Sequence, residues 1–275
     1  MSQYAPATAP GPLGLTIRAL VGLYIGVLVA LPLAALLQKG VAGGLLGIWQ
    51  AATSPIAADA FIRTLWTAGL TAAINAVLGT ATAWVLVRYR FPGRTFVSAL
   101  IDLPFAIPTL VAGVMLVVLF GPQEPLGRRL GESGFPVAFA EPGIVLALLF
   151  VTLPFVVRAV EPVLVELDPA EEEAAQTLGA GPWRIFRRVI LPALRPAIAY
   201  GAVQSFARAI AEFGAIVVVS GNIPFQTLTA PVQIFSEVES GRPEVAAALS
   251  TALLGIALGL ALVARGLRRL GGLHA

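Results

Sequence analysis

Cysteine does not occur anywhere in the 275 residues, which excludes disulfides and thiolate metal sites while leaving the compartment open. Charge is scarce as well: Asp, Glu, Lys and Arg make up 12% of the chain, against about 25% in a soluble globular domain. The one histidine, His274, sits at the far C-terminus and is expected to be a bystander rather than a ligand. No carboxylates cluster at metal-ligand spacing. The phosphate-cradling pattern GxxxxGK followed by Ser or Thr is missing, so this chain has no nucleotide site of that kind.

What fills the sequence instead is apolar. Hydrophobic residues make up 57% of the chain, and the mean hydropathy is +0.87. Runs near 15–37, 61–87, 98–120, 143–162, 194–219 and 244–264 approach the ~20 residues that cross a bilayer as a helix. The reading is an all-α integral membrane protein with six transmembrane helices in one domain, about 15–265. Residues 1–14 are rich in Pro, Ala and Gly and are expected to be mobile. They lack the basic start of a secretory signal, so the first run is expected to stay as a helix. Residues 40–60, 88–97, 121–142 and 220–243 are expected as loops, the last with room for a short helix, and 266–275 as a tail. Phe91-Pro92-Gly93 predicts a turn, and Pro104 and Pro108 predict kinks or unwinding in the third run.

The formal charge of +3 invites a nucleic-acid reading, but most arginines stand at the ends of apolar runs. Six spans put both termini on one side. That side, with loop 88–97 and the segment before the fifth run, holds eleven basic residues against five opposite. The positive-inside rule makes it cytoplasmic.

Between the fourth and fifth runs lies a polar island, Glu171 to Pro192, reading EEEAAQTLGAGPWRIFRRVILP. Asp168 suits an N-cap, Pro169 the first helical position, and Glu171 stands three residues after the cap, as in a capping box. Glu171, Glu172 and Glu173 fall near the positive end of the helix dipole. Ala174, Ala175 and Leu178 continue the helix, and Gly179 is placed to end it with a left-handed residue. Pro182 opens a second helix with Ile185, Phe186, Val189 and Ile190 at helical spacing. The plain alternative is an amphipathic connector lying on the membrane surface.

Glu173-Ala174-Ala175, then Gly179, then Val189-Ile190-Leu191-Pro192 resembles the EAA loop of ATP-binding-cassette (ABC) importer permeases, with Val189 where the family has Ile. DLPFAIPTLVAG (102–113), TLPFVVRAVEPVL (152–164) and SFARAIAEFGAIVVVSGNIP (205–224) resemble the sulfate/thiosulfate permeases, T-type subunit, although Ala211 stands where many relatives have Gly. The resemblance spans roughly 60–260. It implies a type I importer permease in the inner (plasma) membrane, with the island, about 165–192, as its cytoplasmic coupling loop. Glu171, Glu172, Glu173, Ala174, Ala175, Leu178, Gly179, Trp183, Leu191 and Pro192 are the coupling candidates. Implied partners are a homologous W-type membrane subunit, an ATPase dimer carrying ATP and Mg, and an extracytoplasmic sulfate- or thiosulfate-binding protein. This chain itself is not expected to be an enzyme or to hold a cofactor. Molybdate/tungstate permeases share the architecture and are the alternative. A membrane-embedded enzyme would need convergent His, Asp or Ser groups within the spans, and these are scarce; a secondary transporter usually shows internal repeats, and none is found.

Two charged patches within the runs stand out, Arg208 with Glu212 in the fifth and Asp102 in the proline-kinked third. Arg208 and Glu212, at i and i+4, can pair on one helix face. The functional reading places them on the path of a doubly charged oxyanion; the structural one makes them a packing pair. Asp102 is expected at a helix end, capping or snorkelling to the surface. Arg208 is expected to be the only basic residue well inside a span.

Overall fold

The computed structural model describes residues 12–270. The first eleven residues of the expected mobile segment, and His274 in the tail, lie outside them. Among the described residues the chain is helical throughout: α1 (Pro12–Ile25), α2 (Leu31–Gly40), α3 (Gly44–Ala52), α4 (Pro55–Arg88), α5 (Arg94–Ala106), α6 (Thr109–Phe120), α7 (Pro125–Glu132), α8 (Glu141–Glu166), α9 (Pro169–Thr177), α10 (Pro182–Ile185), α11 (Leu191–Ile210), α12 (Gly214–Val219), α13 (Ala230–Glu239) and α14 (Pro243–Leu270). π-helical turns at Gly26–Ala30 and Phe186–Ile190 join α1 to α2 and α10 to α11.

Length and composition support up to five of the six expected spans among the described residues. Four helical stretches among the described residues are long and apolar enough to cross a bilayer: Thr16–Gly40, Pro55–Arg88, Glu141–Glu166 and Pro243–Leu260. A fifth is the pair α5 and α6, bent by 112°. The bend falls at Ile107-Pro108, where proline removes a backbone donor and disfavours helix at the residue before it. The expected fifth span, 194–219, is not one helix: it breaks between Ile210 and Gly214 into α11 and the short α12. The expected loop 40–60 is mostly helix, because Ser54-Pro55 starts α4 six residues before the expected Phe61. Loop 121–142 contains α7, and the short helix anticipated in 220–243 is α13.

The core is the packing of α4, α8 and α11. With no water between helices in a bilayer, small residues that let backbones approach are what tighten such contacts. A Cβ on Gly79 would lie 2.7 Å from the Val156 Cβ, and one on Gly201 would lie 2.7 Å from the Val156 Cα, so Val156 is seated between two glycines. One turn away, a polar layer crosses the same three helices. The Asn75 amide donates to Thr152 Oγ1 at 2.8 Å and to Ser205 Oγ at 3.2 Å, and Ser205 donates to Thr152 at 2.9 Å. All three residues are buried. Asn75 and Thr152 lie one turn before Gly79 and Val156, whereas Ser205 lies one turn after Gly201. So α4 and α8 run the same way and α11 runs back. Arg88 at the end of α4, Glu166 at the end of α8 and the start of α11 therefore share one end of the bundle. The first helical stretch packs mainly on α14 and is otherwise exposed along its length.

Candidate coupling surface and translocation path

The island folds as its residues dictate. Asp168 caps α9, its carboxylate accepting from Ala170 N at 2.9 Å. Gly179 has φ +79°. Its N–H donates to Gln176 O at 2.9 Å and that of Ala180 to Ala175 O at 3.0 Å, the paired bonds of a Schellman motif. No atom stands within 4 Å of where a Gly179 Cβ would be, so conformation, not space, requires glycine here.

The second helix differs from expectation. It does not end before the next span: Pro182 opens α10, the π turn carries Phe186–Ile190, and α11 follows without a loop. Pro192 has no N–H to give a regular ladder, and the chain passes this point with the Leu191 N–H bonded to Phe186 O, five residues back. From Pro182 onward the segment thus continues into α11 without a loop.

The candidate residues sort by exposure. Leu178 is 88% exposed and Trp183 72% exposed; Glu171, Glu173 and Ala174 are also exposed. Ala175 and Ala180 face the cluster around Leu86, Val160, Leu164 and Ile190. Leu191 is half-buried and Pro192 exposed. The outer face is therefore apolar at Leu178 and Trp183 and acidic at Glu171 and Glu173 beside them.

Two ion pairs that the sequence reading missed hold this end together. Arg88 bonds Glu172 and lies 5.3 Å over the Trp84 ring. Trp84 meets Phe186 edge-on at 5.6 Å, and Phe186 stacks with Trp183 at 5.7 Å. So α4 grips α9 through one charge pair and α10 through an aromatic chain. Asp102 does not cap α5: it accepts from Arg158 Nε at 2.8 Å, while Arg158 also bonds Ser98 at 2.9 Å and Glu161. Arg158 thereby ties α5 to α8. The available signal was the matching of Arg158 with Asp102 at the same depth of neighbouring runs.

Deeper in, Arg208 Nη1 lies 2.6 Å from Glu212 Oε2, the pair expected from their spacing. Glu212 is 1% exposed, and its other oxygen accepts from Ala215 N at 2.9 Å. The carboxylate thus closes the break between α11 and α12 from within. The second break lies against the first: a Gly214 Cβ would come 2.3 Å from Thr109 Oγ1 at the start of α6. Two interrupted helices meet there beside a one-third-exposed arginine. At the opposite end of the bundle, near the start of α4, Arg63 lies 3.2 Å from Asp59 and 3.0 Å from Phe225 O. Beyond α12 the loop is pinned: Asn222, at φ +56°, donates to Val217 O at 2.9 Å, and Phe139 N donates to Val219 O at 2.8 Å. Among the described residues no group of three His, Cys, Asp or Glu could hold a metal ion.

Interrupted spans around a helix core, with a short helical pair projecting at one end, are the fold of solved type I ABC importer membrane subunits. The described helices superpose with TM-score 0.78 on a bacterial ABC transporter involved in import of the acidic polysaccharide alginate, covering 94% of this chain and 95% of that one at 19% identity. They superpose with TM-score 0.56 on the MetNI methionine ABC transporter, covering 76% and 95% at 18% identity. Residues 75–270 match the family described as binding-protein-dependent transport system inner membrane component, and the chain belongs to that family. It is 42% identical over 249 residues to the sulfate transport system permease protein CysT of Synechocystis sp. (strain ATCC 27184 / PCC 6803 / Kazusa), covering 90% of this chain and 87% of that one. It is 40% identical over 236 residues to that of Escherichia coli (strain K12), covering 86% and 85%.

Proposed function

We propose that this chain is the membrane permease subunit of an ATP-driven sulfate/thiosulfate importer in the inner membrane. The observation that carries this reading is 40–45% identity to sulfate permeases over most of both chains. A second, homologous membrane subunit completes the anion path. Two ATPase subunits hold ATP and Mg, and an extracytoplasmic binding protein delivers the anion. The domain spans about 15–265, with the 165–192 segment, the N-terminal 1–14 and the 266–275 tail in the cytoplasm.

The coupling uses the unbroken helical run from Pro182 into α11. The exposed Leu178 and Trp183, with Glu171 and Glu173, form the surface for the ATPase. Closure of the ATPases moves α9 and α10; the π turn passes that movement to α11 without a slack loop, and Arg88–Glu172 passes it to α4. The far end of α11 carries Arg208 and the break. Arginine presents a planar fork of donors suited to an oxyanion that has lost hydration, and Glu212 neutralises it when no anion is bound. The test is uptake of labelled sulfate, thiosulfate and molybdate by the complex reconstituted in vesicles. Sulfate or thiosulfate uptake that needs ATP supports the reading; uptake of molybdate alone replaces the substrate. A purified complex lacking any ATPase overturns the coupling role.

A further inference from the structure

An open groove of about 730 Å3 runs between α4 and the α10–α11 segment, lined by Val77, Ala81, Trp84, Trp183, Phe186 and Ile198 among others. Its size falls in the ~300–1,000 Å3 range of ligand clefts, and its walls are almost entirely apolar. It starts at the coupling end, where Trp84 stands one turn before Arg88, and reaches Val77, eleven residues from Arg88. At 1.5 Å per residue that is about 16 Å along the helix. A soluble partner seated on Leu178 does not reach that depth.

Basic residues stand next to the groove's lining residues in sequence. Arg184, Arg187 and Arg188 flank Trp183 and Phe186 in sequence, all three are exposed, and none has an ion-pair partner among the described residues. The nearby Glu172 is already taken by Arg88. Tryptophan at the interface, basic groups beside it and an apolar cleft below match the two halves of a phospholipid: acyl chain below, phosphate above.

We propose that this groove seats an anionic phospholipid of the leaflet on the coupling side. Its acyl chain lies along Ala81, Trp84 and Phe186, and its headgroup phosphate meets Arg184, Arg187 and Arg188. Arg187 and Arg188 belong to the π turn that joins the coupling segment to α11, so the lipid bears on the element that transmits movement.

The experiment places a benzophenone amino acid at Ala81, which is exposed within the groove, in the whole importer in native membranes. Its photo-adducts are identified by mass spectrometry. The expected adduct is phospholipid, enriched in phosphatidylglycerol or cardiolipin over the bulk membrane. Arg187→Gln with Arg188→Gln lowers that enrichment, by about fivefold for each charge removed, while Arg187→Lys with Arg188→Lys keeps most of it and so separates charge from folding. An adduct with another protein subunit overturns the proposal, as does phospholipid in bulk proportions or no adduct at all. None of these readouts depends on which anion is transported.

Discussion

Valine at position 179 has to adopt φ near +79°, where a Cβ crowds the following carbonyl at roughly 1–2 kcal/mol, with more for a branched side chain. The empty space around Gly179 does nothing to relieve this, because the strain is in the backbone. Gly179→Val therefore distorts the turn between α9 and α10 while leaving the buried helix core untouched. The expected result is normal membrane insertion with reduced ATPase association and transport, read by co-purification and uptake; equal association would show that the turn tolerates distortion. Arg88 and Glu172 allow a sharper test, because both are about three-quarters shielded from solvent. Arg88→Glu or Glu172→Arg alone places like charges together and should lower transport per ATP hydrolysed. The exchange of both restores a pair at the same place and should recover much of that ratio. If neither single change alters the ratio, the contact is not part of transmission. Gly179 and the Asp168 cap were legible in the sequence, since each works within one turn of chain. The Arg88–Glu172 pair was not, because 84 residues separate its members and a sequence does not give the rotation of α4.

At the scale of elements, apolar length located the helices well and their interruptions poorly. Hydropathy is averaged over a window, and Ala211, Glu212 and Phe213 barely change the average across 194–219. What marks the break is a hydrogen bond at the start of α12, from Ala215 N to a carboxylate three residues earlier. The proline at 108 did announce the other interruption, and the kink expected there is the 112° bend. The contact of the two breaks makes Arg208 and Glu212 a question about elements rather than about one charge. Arg208→Ala alone leaves a carboxylate of 1% exposure without its cation, a change that typically costs about 3–5 kcal/mol in a buried pair, so loss of assembly is expected. Arg208→Ala with Glu212→Gln removes the charge and keeps an acceptor for Ala215 N. That double variant should assemble, and uptake should fall at least tenfold if the arginine serves the anion. Assembly with normal uptake would leave the pair a packing device only.

The whole molecule presents two unlike ends. At one, α4 and α8 finish, Arg88 and Arg158 hold carboxylates, and the coupling pair projects with Leu178 and Trp183 uncovered. At the other, α13 and the pinned loop from Ser220 to Thr229 lie over the start of α4, where Ala230 N donates to Thr64 Oγ1 at 2.8 Å. The apolar surface between them is extensive: Leu20, Leu23, Leu45, Ile62, Val77 and Val118 are all more than half exposed, an arrangement that hydrocarbon favours and water does not. With eleven basic residues assigned to the coupling side and five opposite, the positive-inside rule predicts a cytoplasmic coupling end. The chain's lack of cysteine makes this directly measurable. Gln176 in α9 and Gln226 in the far loop are both exposed, so a single cysteine at either should react freely with a membrane-impermeant maleimide from its own side. In sealed right-side-out vesicles Gln226→Cys should label at once and Gln176→Cys only after the membrane is permeabilised; inverted vesicles should give the opposite order. Labelling of both positions from one side would place the two ends of α11 in the same compartment, and then the interrupted segment from Leu191 to Val219 would be a re-entrant hairpin rather than a crossing.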